Sequence, residues 1–193
     1  ALEAFGELSF VSCWTEVCGP CKEFLSVNKG SGRAVTATKI ISENEVNGVI
    51  DGPSHHGSVM FRRDSYQRAG GYRPQFYFGQ DWDLWYRLAE AGKYQMIQKV
   101  LYRAQVTPDS LSGKYRDSQH AIERLSLQAL LRRRRGQGED DLLIRVVGIR
   151  PEQSSSISTR SNADGLYFIG EQLRRNGDER AERYLRKSIA TAP

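Results

Sequence analysis

The stretch Asp81 to Ala91, Asp-Trp-Asp-Leu-Trp-Tyr-Arg-Leu-Ala-Glu-Ala, narrows the possible folds more than any other part of the chain. Leu84, Trp85 and Leu88 recur at helical spacing, Asp81 stands in the first turn, and Gly92 closes the pattern. A helix with one apolar stripe has to lie on a second layer. Extended segments supply it. Leu8 to Val17 is rich in β-formers (Phe10, Val11, Trp14, Thr15, Val17), and Met96 to Val106 is extended in character. The fold class is therefore α/β.

The remaining chain is read from its punctuation. Gly19-Pro20 and Asn28-Lys29-Gly30-Ser31-Gly32 carry turn chemistry. Ser42 to Ile50 opens with a Ser-Glu-Asn-Glu capping box and predicts a short helix. His56 to Phe61 predicts a short strand, and Asp64 predicts the cap of a brief helix that stops at Gly70-Gly71. An aromatic loop, Tyr72 to Phe78, follows. Lys114 to Arg135 predicts a long amphipathic helix bearing Ile122, Leu125, Ala129 and Leu130, with Arg132 to Arg135 at its C-terminus, where cations are favoured. The Ser-rich stretch 154–163 reads as a linker. Beyond it, Leu166 to Asn176 and Glu179 to Ala190 form two helices around Gly177-Asp178. The spacing of Ala181, Leu185, Ser188 and Pro193 resembles the second half of a tetratricopeptide repeat, and a single such unit implies further repeats downstream. The expected domains are 1–112, a long helix and extension over 113–153, the linker 154–163, and a helical hairpin over 164–193.

An apolar fraction of 39% and a charged fraction of 26% in 193 residues belong to a globular protein. The net charge of +5 suits a nucleic acid, an anionic membrane surface or a phosphorylated substrate, without choosing among them. No run of about 18 apolar residues is present to span a membrane, and Ala1 to Phe10 lacks a secretory pattern. The expected location is cytoplasmic, with peripheral attachment at the inner membrane face as a variant. Because the first residue is not methionine, the chain can begin inside a larger protein.

Three cysteines near one end do not make a disulfide framework and suit a reducing compartment. Cys18-Gly19-Pro20-Cys21 spells a dithiol redox box. A reactive box of that kind needs a helix N-terminus to stabilise the thiolate. Asn28 to Gly32 forbids a long helix there, so a hairpin turn is expected, with Cys13 as a small buried hydrophobe.

From His55 to Ser112 the chain reads HHGSVMFRRDSYQRAGGYRPQFYFGQDWDLWYRLAEAGKYQMIQKVLYRAQVTPDSLS. The His-Gly-x-x-Met-Phe-Arg segment, Gly-Gly-Tyr, an acidic helix start with Leu-Trp-x-Arg-Leu, and Leu-Tyr-Arg before Ser-x-Ser follow in order. This resembles the C-terminal half of the catalytic domain of family 2 glycosyltransferases, a GT-A (nucleotide-diphospho-sugar transferase-like) fold. The resemblance implies a partial GT-A domain with a mixed sheet followed by an α-helical tail. It also implies transfer of a sugar from a nucleotide-diphosphate sugar to an acceptor hydroxyl with inversion.

Inverting transfer needs a carboxylate to take the acceptor's proton, and the resemblance places that base at Asp81. The alternative reading of Asp81 is a helix cap. Substrate-side residues implied alongside it are His56 and Gly57, Arg63, Gly71 and Tyr72, Gln80 and Trp85. Gly57 lets a ligand approach the backbone; His56, with His55, can equally be a polar strand start. Arg63, with Arg62, can meet donor phosphates or simply be solvated. Gly71 is first a helix stop, and Tyr72 a wall of the acceptor cleft. Trp85 lies on the apolar face, which favours core. Asp81-Trp82-Asp83 spells the family's Asp-x-Asp metal motif but falls inside a helix, where Asp83 is expected as a solvent-facing partner of Arg87.

Two departures stand out. Gln80 takes the place of a usual second acid, and Thr107, a poor divalent ligand, takes that of a histidine that reaches the metal in some members. The family's nucleotide-binding half and Asp-x-Asp loop would precede Ala1, so this chain alone is expected to be catalytically silent. The complete enzyme is expected to use Mg or Mn, a nucleotide-sugar donor and a sugar or lipid-linked acceptor. The helical tail is a candidate protein-binding element, and an open sheet edge a candidate site of self-association. The competing class is a non-catalytic basic interaction module built on Arg132 to Arg135 and Arg174-Arg175. Stacking aromatics do not alternate with those arginines, which speaks against nucleic acid.

Overall fold

The computed structural model describes residues 1–29, 52–110, 115–151 and 159–192. Among them the elements are β1 (Leu8–Cys18), β2 (Phe24–Asn28), a 3-10 turn (His56–Ser58), β3 (Met60–Phe61), α1 (Arg63–Arg68), α2 (Gln80–Ala91), β4 (Lys93–Gln105), α3 (Arg116–Arg134), α4 (Asp140–Val147), α5 (Thr159–Arg175) and α6 (Ala181–Thr191). The four strands form one sheet: β2 and β3 pair antiparallel with β1, and β4 also pairs with β1. This is an α/β content with six helices. The expected helix at Ser42 to Ile50 and the first half of the expected linker, 154–158, lie outside the described residues.

Two compact units interleave along the sequence. The first comprises Ala1–Trp14, Lys29–Leu101 and Asp117–Arg150; the second comprises Thr15–Asn28, Tyr102–Arg116 and Pro151–Pro193. In the first, the stripe read from the sequence does what an amphipathic helix must. Leu84, Trp85, Leu88 and Ala89 of α2 bury against Phe10 of β1 and Tyr94 and Met96 of β4. Phe10 and Tyr94 stack with centroids 4.7 Å apart. Two buried hydroxyls in this core are satisfied: Ser9 Oγ donates to the Leu88 carbonyl at 2.7 Å, and Ser12 Oγ lies 2.7 Å from the Tyr94 hydroxyl, whereas Trp85 Nε1 has no partner among the described residues. The opposite side of α2 meets α3, where Tyr86 and Leu130 pack with Trp82, Leu127 and Leu131.

In the second unit, β1 turns into β2 with Thr15 opposite Asn28, Glu16 opposite Val27 and Cys18 opposite Phe24. Gly19 N–H donates to the Glu23 carbonyl (2.8 Å) and Lys22 N–H to that of Gly19 (3.0 Å). The Cys-Gly-Pro-Cys stretch therefore sits in a hairpin turn with a strand after it, as expected. α5 and α6 form an antiparallel pair around Gly177, whose φ of 70° is left-handed. Leu166, Ile169 and Leu173 pack with Ala181 and Tyr184 over Val17 and Leu25.

Glu23 explains why the turn holds. It is 2% exposed, its Oε2 accepts from Cys21 N–H (2.8 Å), and its Oε1 accepts from the Tyr184 hydroxyl (2.7 Å). Burial would raise its pKa, but the Tyr184 hydroxyl, backbone N–H groups and Arg180 outweigh it and hold the carboxyl below its ordinary value.

Several boundaries differ from the expectations. His56 opens a 3-10 turn rather than a strand, because the His55 imidazole accepts the Gly57 N–H and closes the chain locally. Asp64 lies inside the first turn of α1 and pairs with Arg68 (2.8 Å) instead of capping it; Arg62 is the N-cap. α5 takes in the end of the expected linker from Thr159, and α4 occupies part of the stretch expected as an extension after the long helix. Its signal was present as Asp140-Asp141 followed by Leu142 and Val146 one turn apart.

Tyr184→Phe should destabilise the protein by about 1.5–3 kcal/mol in urea unfolding, because a buried carboxylate loses a donor. A carboxyl whose folded pKa is depressed stabilises above the unfolded value, about pH 4.3, and that contribution disappears as pH falls through the folded one. Wild type should thus lose stability on acidification below that range, and Tyr184→Phe should lose less.

Candidate active site

The 3-10 turn, the loop after α1 and the start of α2 bring most of the singled-out residues together. Gly79, at φ 59°, turns the chain into α2, and a Cβ there would stand 2.8 Å from Ile122 Cγ2. Asp81 then falls in the first helical turn, half-buried, with its Oδ1 accepting the Trp82 N–H at 3.0 Å. Among the described residues no guanidinium or ammonium pairs with this carboxylate. Its field reaches two neighbours. His55 is pushed below its ordinary pKa by burial and by His56, with Asp81 opposing. Tyr72 is pushed up by burial, by Tyr66 and by Asp81.

Tyr72 Oη lies 2.9 Å from His56 Nε2, and the two rings meet edge to face. The His56 ring also faces that of Trp85, 6.2 Å between centroids and 28° between planes. Trp85 itself is 5% exposed and belongs to the core, so its share in the site is to back His56. Tyr72, 39% exposed, is a wall open to solvent. His56, Tyr72, Asp81 and Trp85 thus form one cluster.

Gly57 and Gly71 have structural roles beside it. Gly57 N–H donates to His55 Nδ1 (3.1 Å), and the Gly71 carbonyl accepts from Arg87 Nη1 (2.7 Å). Arg63 and Gln80 are exposed, and their side chains make no hydrogen bond or ion pair among the described residues.

Asp83 differs from the expectation in one respect. Its partner is Arg87, with Nε 3.0 Å from Oδ2, but the pair is buried, Asp83 being 1% exposed. Helical phase puts Asp83 and Arg87 beneath the loop 69–73, whose carbonyls Arg87 also engages. That geometry leaves Asp83 spent on guanidinium groups. No group of three or more His, Cys, Asp or Glu side chains able to hold a metal ion occurs among the described residues.

The residues missed in the sequence are Tyr66, Arg73 and the loop-holding role of Arg87; His55 is read there only alongside His56. The His-His dipeptide was the one available pointer; Arg73 and Tyr66 act through contacts that no local pattern announces.

The surroundings of Cys18 do not activate its thiol. Cys18 is buried, donates to Glu16 Oε1 at 3.3 Å, and has its pKa raised by burial and by that carboxylate, the reverse of an activated thiolate. Cys21 is exposed. No helix among the described residues is long and apolar enough to cross a membrane.

Comparison of the chain with models of known protein families, with curated proteins and with solved structures returns no match.

Three outcomes follow from this geometry. Asp83→Asn should cost about 3 kcal/mol or more in urea unfolding, since it strands buried Arg87. Asp81→Asn should stay within about 0.5 kcal/mol of wild type. Iodoacetamide should alkylate Cys21 in the folded protein and reach Cys18 only after denaturation, as resolved by peptide mass spectrometry.

Proposed function

We propose that the chain is the acceptor-side part of an inverting glycosyltransferase of the family 2, GT-A type, with Asp81 as the general base. The observation that carries this reading is the contrast between two carboxylates on one helix. Asp83 is buried and consumed by Arg87, whereas Asp81, half-buried, has no cationic partner among the described residues and stands beside Tyr72 and His55. A carboxylate left unneutralised at a helix start, near solvent and next to an aromatic wall, is suited to receive a proton from a hydroxyl.

In the proposed reaction, the acceptor sugar lies against Tyr72 with its nucleophilic hydroxyl on Asp81. The proton passes to Asp81 as the oxygen bonds to the anomeric carbon on one face and the bond from that carbon to the diphosphate oxygen breaks on the other, so the nucleoside diphosphate leaves as an anion with the electron pair and the configuration inverts. The donor and its Mg or Mn belong to the nucleotide-binding half that this reading requires. The tetratricopeptide-like pair α5 and α6 is proposed as a protein-binding element.

Several of the arginines behind the basic-module reading are shared with acids in the fold. Arg132 pairs with Asp141, Arg133 with Glu90 and Glu139, and Arg174 and Arg175 with Glu171. A guanidinium held by a carboxylate has to give up that partner to meet a polyanion, a modest cost for an exposed pair.

The test is a sugar-transfer assay on a polypeptide carrying these residues together with a nucleotide-binding half. Asp81→Asn should lower turnover by about 10²–10⁴-fold while donor affinity stays near wild type. Retained turnover would reduce Asp81 to a helix-start residue.

A further inference from the structure

Tyr72 can wall an acceptor beside Asp81 only if its loop is fixed, and the loop offers little of its own. It follows two left-handed glycines, Gly70 at φ 77° and Gly71 at φ 68°, and Tyr72 points its ring partly into solvent. The local bonds are few: Gly71 N–H donates to the Tyr66 carbonyl (3.0 Å), and Tyr72 N–H donates to the Tyr66 hydroxyl (3.2 Å).

What flanks Tyr72 is charged. On its N-terminal side, Arg87 Nη1 donates to the carbonyls of Gly71 and Ala69 while its Nε holds Asp83. On its C-terminal side, Arg73 reaches in two directions: Nη2 lies 2.6 Å from Glu139 Oε1, at the start of α4, and Nη1 lies 3.5 Å from Asp83 Oδ1. Glu139 in turn binds Arg133 of α3, which also holds Glu90 of α2. Glu139 is kept ionised: burial raises its pKa, but the Arg73 bond and Arg133 outweigh it. The arginines Arg68, Arg73, Arg87 and Arg133 line an open depression of about 370 Å³ with Glu90. Asp64, Asp83, Glu90 and Glu139 balance their charge, which makes the cluster a tie between elements and not a receptor for an anion.

We infer that Arg73, gripped by Asp83 and Glu139, is a positioning residue that holds the Tyr72 hydroxyl against His56 Nε2 beside Asp81. The inference rests on reading this cluster as the acceptor site. Arg73 touches no reacting atom. It fixes the residue after Tyr72 to the same helix that carries Asp81, so the wall and the base keep one spacing. Glu139 extends the tie to α4, giving α4 a part in the site that its distance along the chain conceals.

The experiment reads the imidazole nitrogens of the ¹⁵N-labelled chain by NMR, with His56 assigned through His56→Gln. Tyr72→Phe removes the hydroxyl and should displace the His56 Nε2 resonance. Arg73→Gln should displace it in the same sense, Glu139→Gln in the same sense by less, and Arg73→Lys should return it toward wild type. The double variant Arg73→Gln with Tyr72→Phe should add nothing beyond Tyr72→Phe. A His56 signal unmoved by Arg73→Gln and Glu139→Gln, or unmoved by Tyr72→Phe, overturns the inference. Should Arg73→Gln fail to fold, Glu139→Gln decides alone. These spectra do not involve transfer chemistry. Loss of the glycosyltransferase reading through a retained Asp81→Asn activity would therefore be told apart from failure here.

Discussion

The buried Asp83–Arg87 pair is the constraint on which the first unit depends. Removing two charges from water costs several kcal/mol per ion unless each finds good partners. Here Arg87 is fully engaged by Asp83 and by the carbonyls of Ala69 and Gly71, and Asp83 also faces Arg73. The pair lies within α2, so its demand for partners pulls the glycine corner and the following loop onto that helix. The aromatic contacts of Tyr66, Tyr72 and His56 then form around a fixed backbone.

The same pairing separates two acids that the sequence sets side by side. Asp81 and Asp83 differ by two positions, about 200° around a helix. One consequently faces the loop and its arginines, and the other faces His55 and Tyr72. Division of labour between neighbouring carboxylates needs no further device than this rotation, plus a cation for one of them and none for the other.

The second unit solves a comparable problem with a neutral donor. Glu23 is enclosed with the Tyr184 hydroxyl and a backbone N–H in place of a guanidinium. Asn176 adds bonds from its side-chain amide to the carbonyls of Phe24 and Leu25. Thus the hairpin that carries the two thiols owes its shape to the helical pair α5 and α6. A Cys-Gly-Pro-Cys box placed on a strand end and closed over a carboxylate has no helix dipole to lower a thiol pKa.

Sequence alone determined the elements that local chemistry dictates. The stripe Leu84, Trp85 and Leu88 specified α2 and its buried face, the β-formers from Leu8 specified β1, and Asn28 to Gly32 excluded a helix after Cys21. It also brought His56, Tyr72 and Asp81 forward as a set. Only the tertiary structure decided that His56 begins a turn, that Asp83 is buried, and that Arg73 and Glu139 join the cluster. Those outcomes depend on charges separated by long stretches of chain, Arg73 and Glu139 among them. Periodicity and capping report what a residue does to its own few neighbours; a partner that arrives from another helix leaves no trace in them.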